Sequence, residues 1–196
     1  ILHGVLSGRL AGPKDISVGE PVAERREYLT SQFGVNTDAD NLKTAEQADL
    51  VVFAIKPQDL GPVMGQLKGK LGTDQAALSI VAGAKMETLT KGLGHTSVVR
   101  VMPNTPAQIG AGMTLWTCSD GVDESRREMT KSVLGSIGQE IYVDDEKYMD
   151  MATALSASGP AYVFLFIEAL IDAGVYVGMP RDMARTLALQ TVFGST

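Results

Sequence analysis

Three apolar runs in this sequence end in small or polar residues that could bind a ligand. The segments at these ends are Ala54-Ile55-Lys56-Pro57, Val81-Ala82-Gly83 and Met102-Pro103-Asn104. In an open parallel sheet, ligands bind at the carboxyl edge of the strands. Lys56 could there offer a cation to a phosphate or a ribose, although a solvated turn lysine has the same pattern. The segments therefore predict a ligand site if the three runs are strands of one sheet.

Two of these segments differ in what they could contribute. Small residues at 82–84 let the backbone approach a flat ring closely, but a plain tight turn also needs them. Pro103 and Pro106 stiffen a loop that carries Asn104 and Thr105. Rigid polar groups at a strand end suit a wall beside a reacting centre. The alternative for this loop is a structural turn held by an Asx-type hydrogen bond.

Two serines add further candidates later in the chain. Ser156 and Ser158 come just before Gly159-Pro160, where a new helix is predicted to begin. Ser158 is best placed to cap that helix, and Ser156 is a candidate polar contact to a substrate.

Glu20 closes a short predicted strand, 16–18, at the place where the second strand of a Rossmann sheet meets the adenosine ribose. A carboxylate there favours NAD, because it accepts hydrogen bonds from the ribose hydroxyls. Arg25 or Arg26 could instead accept the additional phosphate of NADP. These cues oppose each other, so the cofactor can be NADP(H) or NAD(H), and solvated side chains remain the simpler interpretation of all three.

Composition excludes several classes of function. The net charge of −6 argues against a nucleic-acid partner. Two distant histidines and the single Cys118 predict no metal site and no internal disulfide, which fits a cytoplasmic protein. The most apolar stretch, 161–177, is interrupted by Glu168 and Asp172, so we expect no membrane span.

The elements that must position these residues alternate between strand and helix. Such alternation predicts an α/β fold, a Rossmann-like doubly wound sheet over residues 1–144. Strands are expected at 16–18, 50–55, 77–81, 98–101, 113–117 and 140–143. Helices are expected at 1–10, 22–33, 42–48, 58–70, 86–92 and 123–138.

Residues 145–196 predict a second, all-helical domain. Its helices are expected at 145–157, 160–177 and 180–193. The middle helix is apolar nearly all round, so it must be covered on every side. Fifty residues cannot do this alone, and we therefore expect a partner chain in a helical dimer core.

Taken together, these segments resemble the pyrroline-5-carboxylate reductase family. The resemblance covers essentially the whole chain. It rests on Ala54–Pro57 (AIKP), Arg100–Pro106 (RVMPNTP), Ala154–Tyr162 (ALSASGPAY), Glu168–Gly174 (EALIDAG), Gly178–Arg181 (GMPR) and Gln190-Thr191. Ala157 departs from the family, which usually has glycine there.

The resemblance implies the last step of proline synthesis, in which NAD(P)H reduces 1-pyrroline-5-carboxylate. It implies a homodimer through the C-terminal helices, and larger rings of dimers occur in the family. By the match, the dinucleotide is contacted by Asn41, Ala54, Ile55, Lys56, Pro57, Val81, Ala82 and Gly83. The loop from Met102 to Pro106, with Met102, Pro103 and Asn104 as cofactor contacts, lies beside the nicotinamide. The glycine-rich phosphate loop is expected before Ile1 and the segment that binds the substrate carboxylate beyond Thr196.

Two other functions remain as hypotheses. One is a different Rossmann dehydrogenase that acts on an imine or a hydroxy acid. Such enzymes usually place a catalytic lysine or histidine on the helical domain. Residues 145–196 contain no histidine, and Lys147 is their only lysine. The other is a truncated dinucleotide-fold module without catalytic activity. For the reductase, no residue is expected to act as an essential general acid, and Asn104, Thr105, Ser156 and Ser158 are only candidates at the reacting centre.

Overall fold

The strands lie in two separate sheets in the computed structural model, which describes residues 1–196. A two-stranded parallel sheet pairs β1 (Ser17–Gly19) with β2 (Asn36–Asp38). The second sheet has five strands in the order in which they occur along the chain. These are β3 (Leu50–Phe53), β4 (Ala76–Ser79), β5 (Val98–Met102), β6 (Gly112–Cys118) and β7 (Gly138–Tyr142).

Connections between the strands explain their directions. Strands β3, β4 and β5 are parallel neighbours, because α4 (Pro57–Leu67) and α5 (Met86–Leu93) return the chain to the starting edge. β5 and β6 are antiparallel, since only residues 103–111 join them and these hold no crossover helix. The doubly wound α/β fold is thus confirmed, with one antiparallel pair that the strand pattern did not reveal.

Buried strands and amphipathic helices form the core. All residues of β4 and β5 are buried. Leu89 and Leu93 of α5 are fully covered beside them, and Leu60 and Leu67 of α4 belong to the same hydrophobic cluster. Trp116 and Leu134 belong to a second cluster, which includes the apolar residues Leu78, Val99 and Val101 of β4 and β5. This core holds the strand ends that the sequence singled out.

The remaining helices of the first 144 residues agree closely with the periodicity. They are α1 (Leu2–Ser7), α2 (Ala23–Phe33), α3 (Asn41–Ala45) and α6 (Glu124–Gly135). One strand was missed. β2 consists of Asn36, Thr37 and Asp38, which carry no apolar signal, and only the pairing with β1 makes this segment a strand.

The last fifty residues are helical, as predicted. They comprise α7 (Lys147–Ala152), a π-helical turn (Thr153–Ala157), α8 (Gly159–Tyr176) and α9 (Arg181–Gly194). A Cβ on Gly174 of α8 would lie 2.7 Å from the Cβ of Ala184, so small residues hold α8 close to α9. No residue of α8 is buried, and α9 buries only Ala184 and Ala188. The large apolar side chains of this helix pair therefore remain exposed.

One helical segment, Lys147–Tyr176, is long and apolar enough to cross a membrane by length and composition alone. Because Glu168 and Asp172 interrupt the apolar stretch, the sequence predicts no membrane span. A single helix of this kind is weak evidence for a span, and none of its apolar window is buried within the chain. This exposed apolar surface needs an apolar environment, and either a protein partner or a lipid can supply it.

The whole chain exposes more surface than a compact monomer of its mass. Its accessible surface is 11736 Å². A compact monomer of this mass would expose about 8,900 Å². Phe164, Leu165, Tyr176 and Phe193 are among the most exposed large apolar residues, at 66–91%. The excess surface is thus partly apolar and includes the helical region.

Candidate functional site

The three predicted strand-end segments lie side by side at one edge of the five-stranded sheet. They follow β3, β4 and β5, which are adjacent and parallel. Two of them contain exposed residues, namely Ala54, Lys56 and Pro57 after β3 and Ala82 and Gly83 after β4. In the third, Pro103 and Asn104 are half-buried, and the next residue, Thr105, is exposed. Val81 and Met102 are buried and anchor their segments in the core. The structure therefore brings together segments that are almost 50 residues apart in sequence.

The segment after β3 is shaped by Pro57. Lys56 has extended geometry, with φ −73° and ψ 151°, and Pro57 is the first residue of α4. A residue before proline is driven out of the helical region, so the turn is abrupt, as predicted. The Lys56 side chain is exposed and forms no ion pair within the chain. It is therefore available to an external anion.

The segment after β4 requires glycine for its backbone conformation. Gly83 has φ +75°, in the left-handed region, and nothing lies within 4 Å of the position that a Cβ would occupy. The hydroxyl of Ser79 accepts a hydrogen bond from the Val81 amide at 3.2 Å. Because Gly83 is exposed and unobstructed, the backbone here can contact a flat ligand directly.

Asn41 lies at the end of the smaller sheet. A Cβ on Gly19 would overlap the Asn41 side-chain oxygen, so the missing side chain of Gly19 makes room for this amide. The Asn41 Nδ2 atom donates to Gln66 Oε1 of α4 at 2.8 Å. The structure thus connects Asn41 to the end of β1 and to the helix that starts at Pro57. It does not bring Asn41 into contact with Asn104.

Asn104 connects the sheet to the helical region. Its Oδ1 accepts from the Met113 amide at 2.9 Å, which closes the loop between β5 and β6. Its Nδ2 lies 3.4 Å from Ser156 O and 3.5 Å from Ser156 Oγ. Ser156 belongs to the π-helical turn, a type of helical bulge that often occurs at functional sites. The predicted pair Asn104 and Ser156 therefore meets in space, across weak contacts.

The other two candidates at the reacting centre are Ser158 and Thr105. Ser158 does occupy the N-cap position of α8, but its side chain makes no capping hydrogen bond, so the predicted cap is wrong. The residue has helical backbone geometry because the π-helical turn continues into α8, and the capping geometry requires an extended backbone. The Thr105 side chain is exposed at the start of the 3₁₀ turn that follows β5.

A buried arginine beside this site was not recognised from the sequence as functional. The Arg100 side chain is 3% exposed, and it pairs with Glu146 at 2.6 Å and Asp150 at 3.1 Å. Glu146 Oε1 also accepts from the Met86 amide at 2.6 Å, at the start of α5. These residues tie β5 and α5 to α7. The available signal was a charge inside an otherwise apolar strand, Val98–Met102, since such a charge needs a partner.

No group of three or more histidine, cysteine, aspartate or glutamate side chains is arranged to hold a metal ion. The strand-edge site instead offers exposed backbone, a free lysine and neutral polar groups. Such an edge suits an anionic ligand with a flat ring, and Gly83 leaves the space for it. The residues present therefore fit a dinucleotide.

Two protein-family models match separate stretches of the chain. Residues 146–196 match the model described as pyrroline-5-carboxylate reductase dimerisation. Residues 2–83 match the model described as NADP oxidoreductase coenzyme F420-dependent.

Individual relatives match over the full chain. Pyrroline-5-carboxylate reductase from Synechocystis is 39% identical over 196 residues, which is 100% of this chain and 72% of that protein. The enzyme of the same name from Arabidopsis thaliana is 36% identical, over 100% of this chain and 70% of that protein.

Solved structures agree with this relationship. A pyrroline-5-carboxylate reductase from Coxiella burnetii superposes with a TM-score of 0.91 at 33% identity, over 98% of this chain and 72% of that one. Pyrroline carboxylate reductase from Plasmodium falciparum, solved with NADP bound, has a TM-score of 0.87 at 32% identity, over 99% and 71% of the two chains. Prephenate dehydrogenase from Aquifex aeolicus, at 13% identity, shares the fold alone. The chain belongs to the pyrroline-5-carboxylate reductase family.

Proposed function

We propose that this protein reduces 1-pyrroline-5-carboxylate to L-proline with hydride from NADPH or NADH, the last step of proline biosynthesis. Family membership supports the substrate and the reaction. The observation that carries the proposal is the row of three adjacent segments at the carboxyl ends of β3, β4 and β5. Ligands of open α/β sheets bind at such an edge.

The proposed cofactor site combines the strand ends with the end of the smaller sheet. Its members are Asn41, Ala54, Ile55, Lys56, Pro57, Val81, Ala82, Gly83, Met102, Pro103 and Asn104. When bound, the dinucleotide supplies hydride to the substrate. Lys56 offers its free ammonium group to an anionic or hydroxylated part of the ligand, and the backbone at Gly83 allows a close approach.

The chemistry of the substrate explains why the site needs no strong acid. Hydride adds to the carbon of the C=N bond, the π electrons move to nitrogen, and nitrogen ends as an amine that carries a proton. An imine that is already protonated needs no proton from the protein. The protein therefore has to hold the reacting carbon against the hydride donor, so that proximity and orientation provide most of the rate enhancement.

Asn104, Thr105, Ser156 and Ser158 are the proposed contacts around the reacting centre. None of them is a strong acid, and we predict that none is an essential general acid. Replacing each by alanine should lower kcat by about 10²-fold or less, the range for lost positioning. An alanine variant that binds both ligands normally and yet loses nearly all turnover would contradict this prediction.

The proposed function is tested by NAD(P)H oxidation with pyrroline-5-carboxylate, on the full chain as the cell makes it. We expect imine-dependent loss of absorbance at the nicotinamide band, with proline as the product. An inactive protein that still binds a dinucleotide would sink the reductase proposal. It would favour another imine or hydroxy-acid dehydrogenase, or a non-catalytic module.

We further propose two domains, residues 1–144 and 145–196, and a homodimer formed through the second. The match to a dimerisation model and the exposed apolar side chains of α8 support the dimer. A partner copy would cover the apolar segment Lys147–Tyr176 without a membrane. Larger assemblies of dimers and a cytoplasmic location belong to the same proposal. The free thiol of Cys118 is compatible with a reducing compartment.

A further inference from the structure

Glu20 occupies a defined place at the end of β1. It is the first residue after the strand, and its amide donates to Asp38 O at 3.0 Å, which extends the pairing with β2. In a dinucleotide-binding sheet, an acidic residue at this position accepts hydrogen bonds from the hydroxyls of the adenosine ribose. Asn41, a proposed cofactor contact, lies against the neighbouring Gly19.

One local hydrogen bond orients the Glu20 carboxylate. Its Oε1 accepts from the Val22 amide at 2.9 Å. Its Oε2 has no partner within the chain and is free to accept from a ligand hydroxyl. An ionised carboxylate has only acceptors, so it can bind a 2′-hydroxyl but not a 2′-phosphate.

The two arginines that could bind a 2′-phosphate differ in their contacts within the chain. Arg26 Nη1 donates to the backbone carbonyls of Glu20 at 2.7 Å and Pro21 at 2.8 Å, so the guanidinium closes the turn. Arg25 is exposed, and its guanidinium lies 4.8 Å from the centre of the Tyr28 ring. Nη1 of Arg26 is therefore committed to the turn, whereas Nε and Nη2 of Arg26 and the guanidinium of Arg25 keep donors that a phosphate could use.

Further carboxylates surround the same turn. The Asp40 amide donates to Asp38 Oδ1 at 2.8 Å and holds the pKa of Asp38 below its ordinary value, with smaller contributions from Lys43 and Arg26. Asp38 is therefore ionised at neutral pH, and Asp40 adds a second carboxylate nearby. A ligand with an additional dianionic phosphate would meet these charges together with Glu20, with Lys43 and Arg26 opposing them.

We propose that Glu20 makes this reductase prefer NADH to NADPH. The inference rests on the proposed function, because it concerns the cofactor of that reaction. The carboxylate binds the free 2′-hydroxyl of NADH and repels the 2′-phosphate of NADPH. The Plasmodium falciparum relative was solved with NADP bound, so the preference would come from the residues of this chain and not from the family.

The test measures dissociation constants for NADH and NADPH by titration calorimetry on the full chain, without substrate. We expect NADH to bind at least about tenfold tighter, the effect of one charge-assisted hydrogen bond. Glu20→Gln and Glu20→Ser should remove most of this difference by strengthening NADPH binding and weakening NADH binding. Glu128→Gln on α6 is the control, since it removes the same charge from an exposed residue of a helix that packs on β7, and it should leave the ratio unchanged.

Arg26→Ala distinguishes the opposite assignment. It should weaken the two dinucleotides equally, because the guanidinium holds the turn that both would use. A selective loss of NADPH binding would show that Arg26 recognises the phosphate, and it would overturn the proposal, as would tighter binding of NADPH by the unmodified protein. Turnover that favours NADPH would sink this inference while leaving the reductase function intact. Failure to bind either dinucleotide would overturn both.

Discussion

A buried arginine, Arg100, connects the five-stranded sheet to the helical region. Arg100 lies in the middle of β5, where a charge is costly unless it is paired. Glu146 and Asp150 provide the pairing, and their side chains are 35% and 68% exposed. The Nε atom of Arg100 has no partner. The stability contribution of this cluster therefore depends mainly on the less exposed carboxylate, Glu146.

We predict that Arg100→Ala lowers the free energy of unfolding by about 2–3 kcal/mol, below the cost of breaking a fully buried pair because both carboxylates can reach water. Asp150→Asn should cost less than about 1 kcal/mol, as exposed pairs do. Urea unfolding followed by Trp116 fluorescence measures both. Equal costs for the two variants would contradict the assignment of Glu146 as the main partner.

At the scale of elements, the loop between β5 and β6 faces the π-helical turn. Asn104 braces the loop through the Met113 amide and approaches Ser156 with its other side-chain atom. These two contacts use opposite ends of one amide group. Each contact can therefore be tested by a substitution that removes only one end of the Asn104 amide.

Asn104→Asp keeps the acceptor for the Met113 amide but loses the donor towards Ser156. We expect it to retain stability within about 1 kcal/mol, the value of one hydrogen bond, while kcat/KM falls by about tenfold or more through misplacement. Asn104→Ala should lose both. Gln108→Ala, at an exposed residue of the same loop, is the control for denaturation and steady-state kinetics. Full activity of Asn104→Asp would show that the contact with Ser156 does not contribute to the site.

At the scale of the whole molecule, the helical region cannot cover itself. α8 and α9 approach each other through Gly174 and Ala184, and most of their larger apolar side chains are exposed. Leu165 and Phe164 are 67% and 66% exposed. Apolar surface of this extent is stable in water only when a partner covers it.

We predict that Leu165→Glu weakens the proposed dimer, because it places a charge on the apolar surface of α8. Light scattering after size-exclusion chromatography should show a monomer or a concentration-dependent mixture. Ile141→Asp is the matched control, at an exposed apolar residue of β7, and should leave the mass unchanged. If Leu165→Glu keeps the mass of the unmodified protein, this face of α8 is not the interface.

The sequence by itself determined the fold class and the positions of almost all elements, because apolar runs and helical periodicity record burial directly. It also identified the segments after β3, β4 and β5, since glycine and proline reveal backbone requirements at single positions. β2 escaped because Asn36-Thr37-Asp38 has no apolar signal.

Only the tertiary structure determined which of these residues meet. Asn104 and Ser156 are 52 residues apart, and no local pattern specifies their approach. The partners of Arg100, the closing of the turn by Arg26 and the antiparallel direction of β6 also depend on non-local contacts. The sequence left the choice between NADH and NADPH open for the same reason. It shows the charges of Glu20, Arg25 and Arg26 but not that Arg26 Nη1 donates to the backbone carbonyls of Glu20 and Pro21.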